Sequence, residues 1–497
     1  MSAERAGEDE PAMTSQRVAL ITGTLAAPAT RRVADDVRQR FGVDVEVVVL
    51  NIQVAALMTA EWVERKLTLP EGQAFDRVIV PGYLRGDLDV LQARLGVSVE
   101  RGPHDVYDLP TTFGGRRQDV TNYGEHDIRI IAEINHASRM TTAAIVAEAL
   151  AMQADGADVI DVGCDPQADR EPWLGVAEVV RALRDAGCRV SIDTFHPAEI
   201  EAACAAGAEM VLSVNSVNLA ECVAAKGWGA TVVAIPDDIR TLGGLDASMA
   251  ALGEAGVSFC VDPILEPIGF GFAASLQRYF DVRRRYPDVD MMMGVGNLTE
   301  MTAVDSAGVN ALLIGICQEV GIGHVLTTQV INWARSSVKE IDLARQLMHY
   351  AVVQQTPPKH VDDRLVRLRD ARLRARDDAT LAELAAGLRD RNYRIFAEAG
   401  RLHLMNRDQH VTGDDPFEMF DQLTEPIDAS HAFYLGYEMA KAATALTLGK
   451  NYTQDESLQW GDLTQKETSH VERKKREQTR GKMREVEHKE SGDEAQA

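Results

Sequence analysis

Small and charged residues gather where the hydrophobic runs of this chain stop. In "DVIDVGCDPQADR" (158–170) a β-branched run ends in Gly, Cys, Asp and Arg. The pattern returns at "IRIIAEIN" (128–135), "RVSID" (189–193), "EMVLSVN" (209–215), "VSFCVD" (257–262) and "MMMGVG" (291–296), the last followed at once by Asn297. The residues closing these runs are Glu133 and Asn135, Asp161 and Asp165, Asp193, Asn215, Asp262 and Asn297. Carboxylates and carboxamides that converge can grip a flat ring bearing amino and oxo groups. One Asp accepts two N–H bonds from an amidine-like edge, and an Asn donates and accepts beside it. Burying such groups unpaired is costly, which argues against a purely structural origin for the whole set. Any single one of them could equally cap the helix that follows.

Such side chains meet only if the runs are strands whose carboxyl ends share one mouth. With "ATVVAIP" (230–236) and "NALLIGI" (310–316) the runs number eight, separated by Ala- and Leu-rich helical patterns. That alternation predicts a central (β/α)8 TIM barrel over residues 125–350. A doubly wound open sheet fits less well, because polar residues close the runs throughout and not only at one switch point. Ahead of the barrel, "RVALITGTLA" (17–26), "DVEVVVLNI" (44–52) and "RVIVPGYLRGD" (77–87) predict a small N-terminal α/β, Rossmann-like domain at 17–115. Gly23 and Gly82 follow its strands without a G-x-G-x-x-G motif, so turn chemistry is the simplest reading of them. Behind the barrel, residues 360–464 read as a C-terminal α+β domain, in which "HAFYLGYEMAKAATAL" places an aromatic face beside an exposed Glu438–Lys441 pair. Residues 1–16 read as a disordered N-terminus and 465–497 as a charged tail.

The 497 residues are 45 % hydrophobic and carry a formal net charge of −24. That charge argues against nucleic acid or an anionic membrane as partner, since both need clustered cations. Cys164, Cys188, Cys204, Cys222, Cys260 and Cys317 are scattered singly, as reduced thiols of a cytoplasmic protein would be. No apolar run reaches the length of a membrane span, and the first residues lack a signal-peptide core. His136, Cys164 and Cys317 would each follow a strand, but without local ligand spacing the cysteines read as small apolar residues rather than Zn2+ ligands.

The segments "IAEIN", "GADVIDVG", "VSIDTFHPAEIEAACAAGAEMVLSVNS", "VDPILEPIGFGF" and "GVGNLTE" resemble the pterin-binding barrel shared by dihydropteroate synthases and methyltetrahydrofolate:corrinoid methyltransferases. Taken with both flanking regions, the chain is most similar to the dihydropteroate synthase-related proteins associated with tetrahydromethanopterin. The resemblance implies that Asp193, Asn215 and Asp262 bind the ring of a reduced pterin substrate. It implies that Asn135 helps place Mg2+ and the substrate diphosphate, making Asn135 and Asp193 the candidate catalytic residues. Arg139 and Arg170 are candidate diphosphate contacts. The family's seventh-strand S-R-K segment is replaced by "VGNLTE", with Asn297 and no Lys, as in the methyltransferases. "DPILEP" likewise resembles the methyltransferase D-P-L-x-x-P, while "HASRM" and "CDPQADR" replace the synthase loops T-P-D-S-F and E-S-T-R. The implied activity is condensation of a dihydropterin methyl diphosphate with an arylamine in folate or tetrahydromethanopterin biosynthesis. Methyl transfer from a methyl-tetrahydropterin to a corrinoid on another chain is the first alternative, and a non-catalytic pterin-binding module the second. Small-molecule pterin and arylamine are the expected partners, and a homodimer is the candidate assembly.

Overall fold

The computed structural model describes residues 16–70, 74–115, 122–165, 171–374, 376–424, 427–468 and 473. They divide into two compact units, Met1–Asp362 and Asp363–Ala497. The expected disordered N-terminus and most of the expected charged tail lie outside the described residues.

The first unit opens with β1 (Arg17–Gly23), α1 (Ala27–Phe41), β2 (Asp44–Leu50), α2 (Ala60–Lys66), β3 (Arg77–Val80), α3 (Asp89–Leu95) and β4 (Ser98–Arg101). The strands form a parallel sheet in the order β2-β1-β3-β4. Val18 and Leu20 pack with Val33 and Val37 of α1 on one face, while Ala19 and Ile21 pack with Val63 and Leu91 on the other. Burial on both faces is why these strands read as continuous apolar runs rather than alternating ones. Each fully buried Val, Leu or Ile contributes about 1.5–3 kcal/mol. Gly42 ends α1 in the left-handed conformation, φ 65°, with its N–H on the Arg38 carbonyl.

Eight parallel strands follow: β5 (Arg129–Ile134), β6 (Val159–Gly163), β7 (Val190–Asp193), β8 (Met210–Val214), β9 (Thr231–Ala234), β10 (Phe259–Val261), β11 (Met292–Gly294) and β12 (His324–Thr327). Between and after them run α4 (Thr142–Ala154), α5 (Val176–Asp185), α6 (Pro197–Ala206), α7 (Leu219–Ala224), α8 (Leu245–Ala255), α9 (Phe272–Arg285), α10 (Gly296–Thr299), α11 (Ser306–Val320) and α12 (Ser337–Val353). The pairing runs β10-β9-β8-β7-β6-β5-β12-β11, and a bridge from Val261 to Met291 brings the two ends together. The architecture is therefore the TIM barrel expected from the alternation. Ile131, Val159, Met210, Leu212, Val233, Cys260 and Met292 fill its interior.

One expected strand is wrong. "NALLIGI" lies inside α11, and the eighth strand is β12, which pairs with β5 from His324↔Arg129 to Thr327↔Ala132. The buried positions of α11, Asn310, Leu313, Ile314, Cys317 and Val320, recur at three and four residues, the period of a helix packed on a sheet. Cys317 therefore sits in a helix with its Sγ 3.7 Å from Met293 Sδ, away from the strand end at which a Zn2+ site with His136 and Cys164 would have needed it.

At the opposite end from the strand tips, α12 ties the barrel's seam. Arg345, 3 % exposed, donates to the carbonyls of Ile128 and Gly156 and to the carboxylates of Asp158 and Asp342. Gly156 has φ 112°, and a Cβ there would lie 2.7 Å from Asp342 Cβ.

The second unit contains α13 (Asp378–Gly387), β13 (Arg394–Glu398), β14 (Arg401–Met405), β15 (His410–Gly413), α14 (Pro416–Asp421) and α15 (Ala429–Leu448), an α+β arrangement whose strands form an antiparallel sheet. Leu435, Met439 and Ala442 of α15 pack on Ile395, Leu402 and Leu404. Glu438 is buried and Lys441 half-buried, rather than exposed as expected: Glu438 accepts from Tyr452 Oη at 2.7 Å and lies 2.9 Å from Lys441. Among the described residues, no helix is long and apolar enough to cross a membrane.

Candidate active site

Three carboxyl groups stand together at the start of the barrel mouth. Glu133 of β5 pairs in register with Asp161 of β6, and Gly163 of β6 with Asp193 of β7. One oxygen from each of Glu133, Asp161 and Asp193 lies within 4.8 Å of the other two. Gly163 makes the space, since a Cβ there would meet Glu133 Oε1 at 2.5 Å. Asp161 is fully buried; its Oδ1 accepts from Ser191 Oγ at 2.5 Å and its Oδ2 has no partner among the described residues. Burial pushes Glu133 up to about 7, helped by the charges of Asp193 and Glu300. Burial likewise raises Asp193 to about 6, and it holds Asp161 well above the usual carboxylate range with help from Asp193 and Glu133. Two full charges at that spacing would repel by roughly 3.5 kcal/mol at an effective dielectric constant of about 20, so ionising one carboxyl of the trio opposes ionising the next.

A second carboxylate group stands across the barrel. Asp262, 4 % exposed, accepts from the Ile264 N–H at 2.8 Å and from Tyr279 Oη at 2.6 Å, both through Oδ1. Burial raises its carboxyl to about 6 despite those two donors. Its Oδ2 takes no hydrogen bond among the described residues and lies 3.9 Å from the point where a Gly294 Cβ would stand, with Asn297 Nδ2 3.6 Å from the same point. Asp262 and Asn297 thus flank the end of β11 together. Asn297 lies in the first turn of α10, exposed, and donates to the Leu265 carbonyl at 3.1 Å. The intervening "DPILEP" turn is strained, with Ile264 at φ 66°. Arg278 of α9 holds it by donating to Ile264 O at 3.0 Å while pairing with Glu266 at 2.8 Å.

The remaining expected residues behave differently from one another. Asn215 follows β8, and its Oδ1 accepts the Val217 N–H at 3.1 Å, so its carboxamide oxygen serves its own turn and Nδ2 is its available donor. Asn135 presents a buried Oδ1 with no partner among the described residues. Arg139 is exposed and paired with Asp165, which also accepts from Ser138 and lies 2.9 Å from His136 Nδ1. That carboxylate offsets the cation expected to meet a diphosphate. Arg170 lies outside the described residues. Residue types alone did not mark Tyr279, Arg278 and Glu300, because they belong to helices and loops behind the strand tips; the only signal was polar residues inside amphipathic runs. Leu174 (90 % exposed), Val217 (81 %), Phe270 (74 %) and Met301 (73 %) are exposed apolar side chains in the segments after β6, β8, β10 and α10.

Residues 134–249 match the family described as pterin binding enzyme. The match includes Asn135, Asp193 and Asn215 and ends before Asp262 and Asn297. Residues 16–104 match a family of unknown function, DUF6513, and residues 387–455 match the family PterinBD-DUF4346. Over 530 aligned residues the chain is 27 % identical to an uncharacterized protein of Methanocaldococcus jannaschii, covering 89 % of this chain and 99 % of that one. Among solved structures it is similar to the Xanthomonas albilineans dihydropteroate synthase in complex with 7,8-dihydropteroate, at 23 % identity and TM-score 0.36, over 46 % of this chain and 94 % of the other. The Thermus thermophilus dihydropteroate synthase in complex with 4-aminobenzoate gives 21 % identity and TM-score 0.35, over 44 % and 93 %. The resemblance carried by the sequence motifs holds for residues 134–249, the stretch that matches the pterin binding enzyme family.

Proposed function

From this pterin-binding barrel we propose a dihydropteroate synthase-like transferase that joins the methylene of a dihydropterin methyl diphosphate to an arylamine, in the synthesis of folate or, as the flanking regions suggest, tetrahydromethanopterin. The observation that carries the reading is Asp262: a nearly buried carboxylate with one oxygen fixed by two donors and the other left toward Gly294 and Asn297. That is the form of an acceptor waiting for the N–H groups of an aminopyrimidinone edge. Asp193 and the Asn215 Nδ2 would complete the recognition. In the reaction the amine nitrogen forms a bond to the methylene carbon, the carbon–oxygen bond breaks, diphosphate leaves with the electron pair, and the amine proton passes to solvent. The orphaned Oδ1 of Asn135 suits a hard cation. Mg2+ held there would neutralise charge developing on the leaving diphosphate.

Incubating the full chain with dihydropterin methyl diphosphate, Mg2+ and either 4-aminobenzoate or its ribosylated counterpart tests this; diphosphate release in step with amine consumption is the expected result. Asn297 in place of a lysine favours a second reading, methyl transfer from a methylated tetrahydropterin to a corrinoid on another chain. Methyl transfer to cob(I)alamin without diphosphate release would replace the first reading with the second. Pterin binding with neither reaction would leave a binding module.

A further inference from the structure

We infer that the amino-terminal sheet carries a second ligand site, separate from the barrel mouth, for a small planar aromatic anion of mononucleotide size. In the order β2-β1-β3-β4 the chain leaves β1 toward one edge and returns to β3 on the other side of β1. The loops leaving those two strands therefore diverge, and in parallel sheets such a switch point opens a crevice at the carboxyl ends. A cavity of about 290 Å3 occupies that place here. Ile21 and Ile79 line it from the sheet, Ala29 and Thr30 from α1, and Lys359 and His360 from the segment that follows the barrel's last helix.

Two features explain why the crevice stays open. The residues that α1 turns toward it are small, "LAAPAT" (25–30) offering one large side chain in six. Gly23 and Gly82 draw the neighbouring loops into its walls: a Cβ on Gly23 would lie 2.6 Å from Ile52 O, and one on Gly82 2.6 Å from Gly102 O. Neither glycine has a positive φ, so close backbone packing rather than turn conformation is what requires them.

The lining chemistry selects the ligand. Tyr83 stacks on His104 with ring centroids 4.1 Å apart and planes within 15°, yet Tyr83 stays 55 % exposed, so one face of a fixed aromatic platform is open to a flat ring. The first turn of the 15-residue α1 has no acidic residue and no side-chain cap, and although Pro28 removes one donor and the Thr30 N–H is spent on the Ala26 carbonyl, the N–H groups of Ala27 and Ala29 and the positive dipole end remain for an anion. Lys359 adds a cation at the same cavity. The buried carboxylate there, Asp105, has Oδ1 committed to the Tyr107 N–H at 3.1 Å. In a chain of net charge −24 an anion is not drawn in by the general field, so these local donors would have to do it. The volume lies at the small end of ligand pockets, which run from about 300 to 1,000 Å3, and leaves no room for a dinucleotide.

The test uses the full-length protein and ligand-detected NMR with adenosine monophosphate, adenosine and benzoate. At least one of the two anions should bind, and adenosine monophosphate should bind about 10-fold more tightly than adenosine, the value of one charge-assisted contact. Ala29→Phe, which fills the cavity, and Tyr83→Ala, which removes an exposed ring without touching a core, should each weaken binding about 10-fold or more. Lys359→Gln should erase the preference for the charged ligand. Binding by benzoate alone would identify an aryl acid as the class. The inference is overturned if none of the three saturates at millimolar concentration, or if binding survives both cavity variants and is lost in Asp262→Ala, which would place it in the barrel. None of these outcomes bears on diphosphate release, so this site and the barrel reaction fail separately.

Discussion

At the scale of single residues, the proton-sharing trio sets a pH dependence with a definite sign. Glu133 and Asp193 titrate at about 7 and about 6 in the folded chain, above their ordinary 4.5 and 3.8, and burial holds Asp161 well above its ordinary range too. The folded state therefore binds more protons than the unfolded one across that interval. Stability from the trio is complete below about pH 4 and is lost as pH rises through about 6 to 7. Asp161→Asn removes the most buried of these charges and should stabilise the ligand-free protein by about 1–3 kcal/mol at pH 8. The gain should shrink at pH 5, which urea denaturation at both values would show. Asp262→Asn replaces an acceptor by a group that is half donor, and pterin affinity measured by calorimetry should fall about 10- to 100-fold. The sequence made Asp193, Asp262 and the strand-end amides legible because each closes an apolar run. It did not reveal that Glu133 and Asp161 sit within a hydrogen-bond length or two of Asp193, since that spacing is made by pairing in register across three strands.

At the scale of elements, the misread eighth strand has a plain cause. A helix buried between a sheet and another helix reads as a short apolar run just as a parallel strand does, and "NALLIGI" has no polar period to separate them. The true strand, "HVLT", follows only three residues after that helix, so the longer apolar run of α11 drew the assignment to itself. The turn after β10 was visible as a motif, but its strain was not: a β-branched residue at positive φ is held by Arg278 from an element 14 residues onward. Ile264→Gly relieves that strain and should leave the fold intact. Removing the clamp with Arg278→Ala should instead lower pterin affinity and leave Glu266 buried without its partner, at a cost of about 3–5 kcal/mol in thermal or chemical unfolding. Comparing the two variants separates turn geometry from general destabilisation.

At the scale of the whole molecule, the barrel and the parallel layer before it were both legible from strand counting, because regular alternation of strand and helix leaves few topologies. The seam was not legible. Arg345 looks like an ordinary helical cation in "LARQLMHY", yet it joins α12 to both β5 and the start of β6. Arg345→Ala should destabilise the first unit by about 3–5 kcal/mol, read in urea, because it strands Asp158 without its counterion, leaves Asp342 with only Lys339 at 3.3 Å, and frees the carbonyls of Ile128 and Gly156. The clamp also fixes an order of events during synthesis. Arg345 lies 217 residues after the carbonyl of Ile128 that it must reach. A ribosome working at roughly 5–20 residues per second leaves the first barrel strand waiting on the order of 10–40 s for that guanidinium. Nascent chains halted before α12 should therefore remain protease-sensitive at their leading strands, and resistance should arrive abruptly once that helix has cleared the exit tunnel.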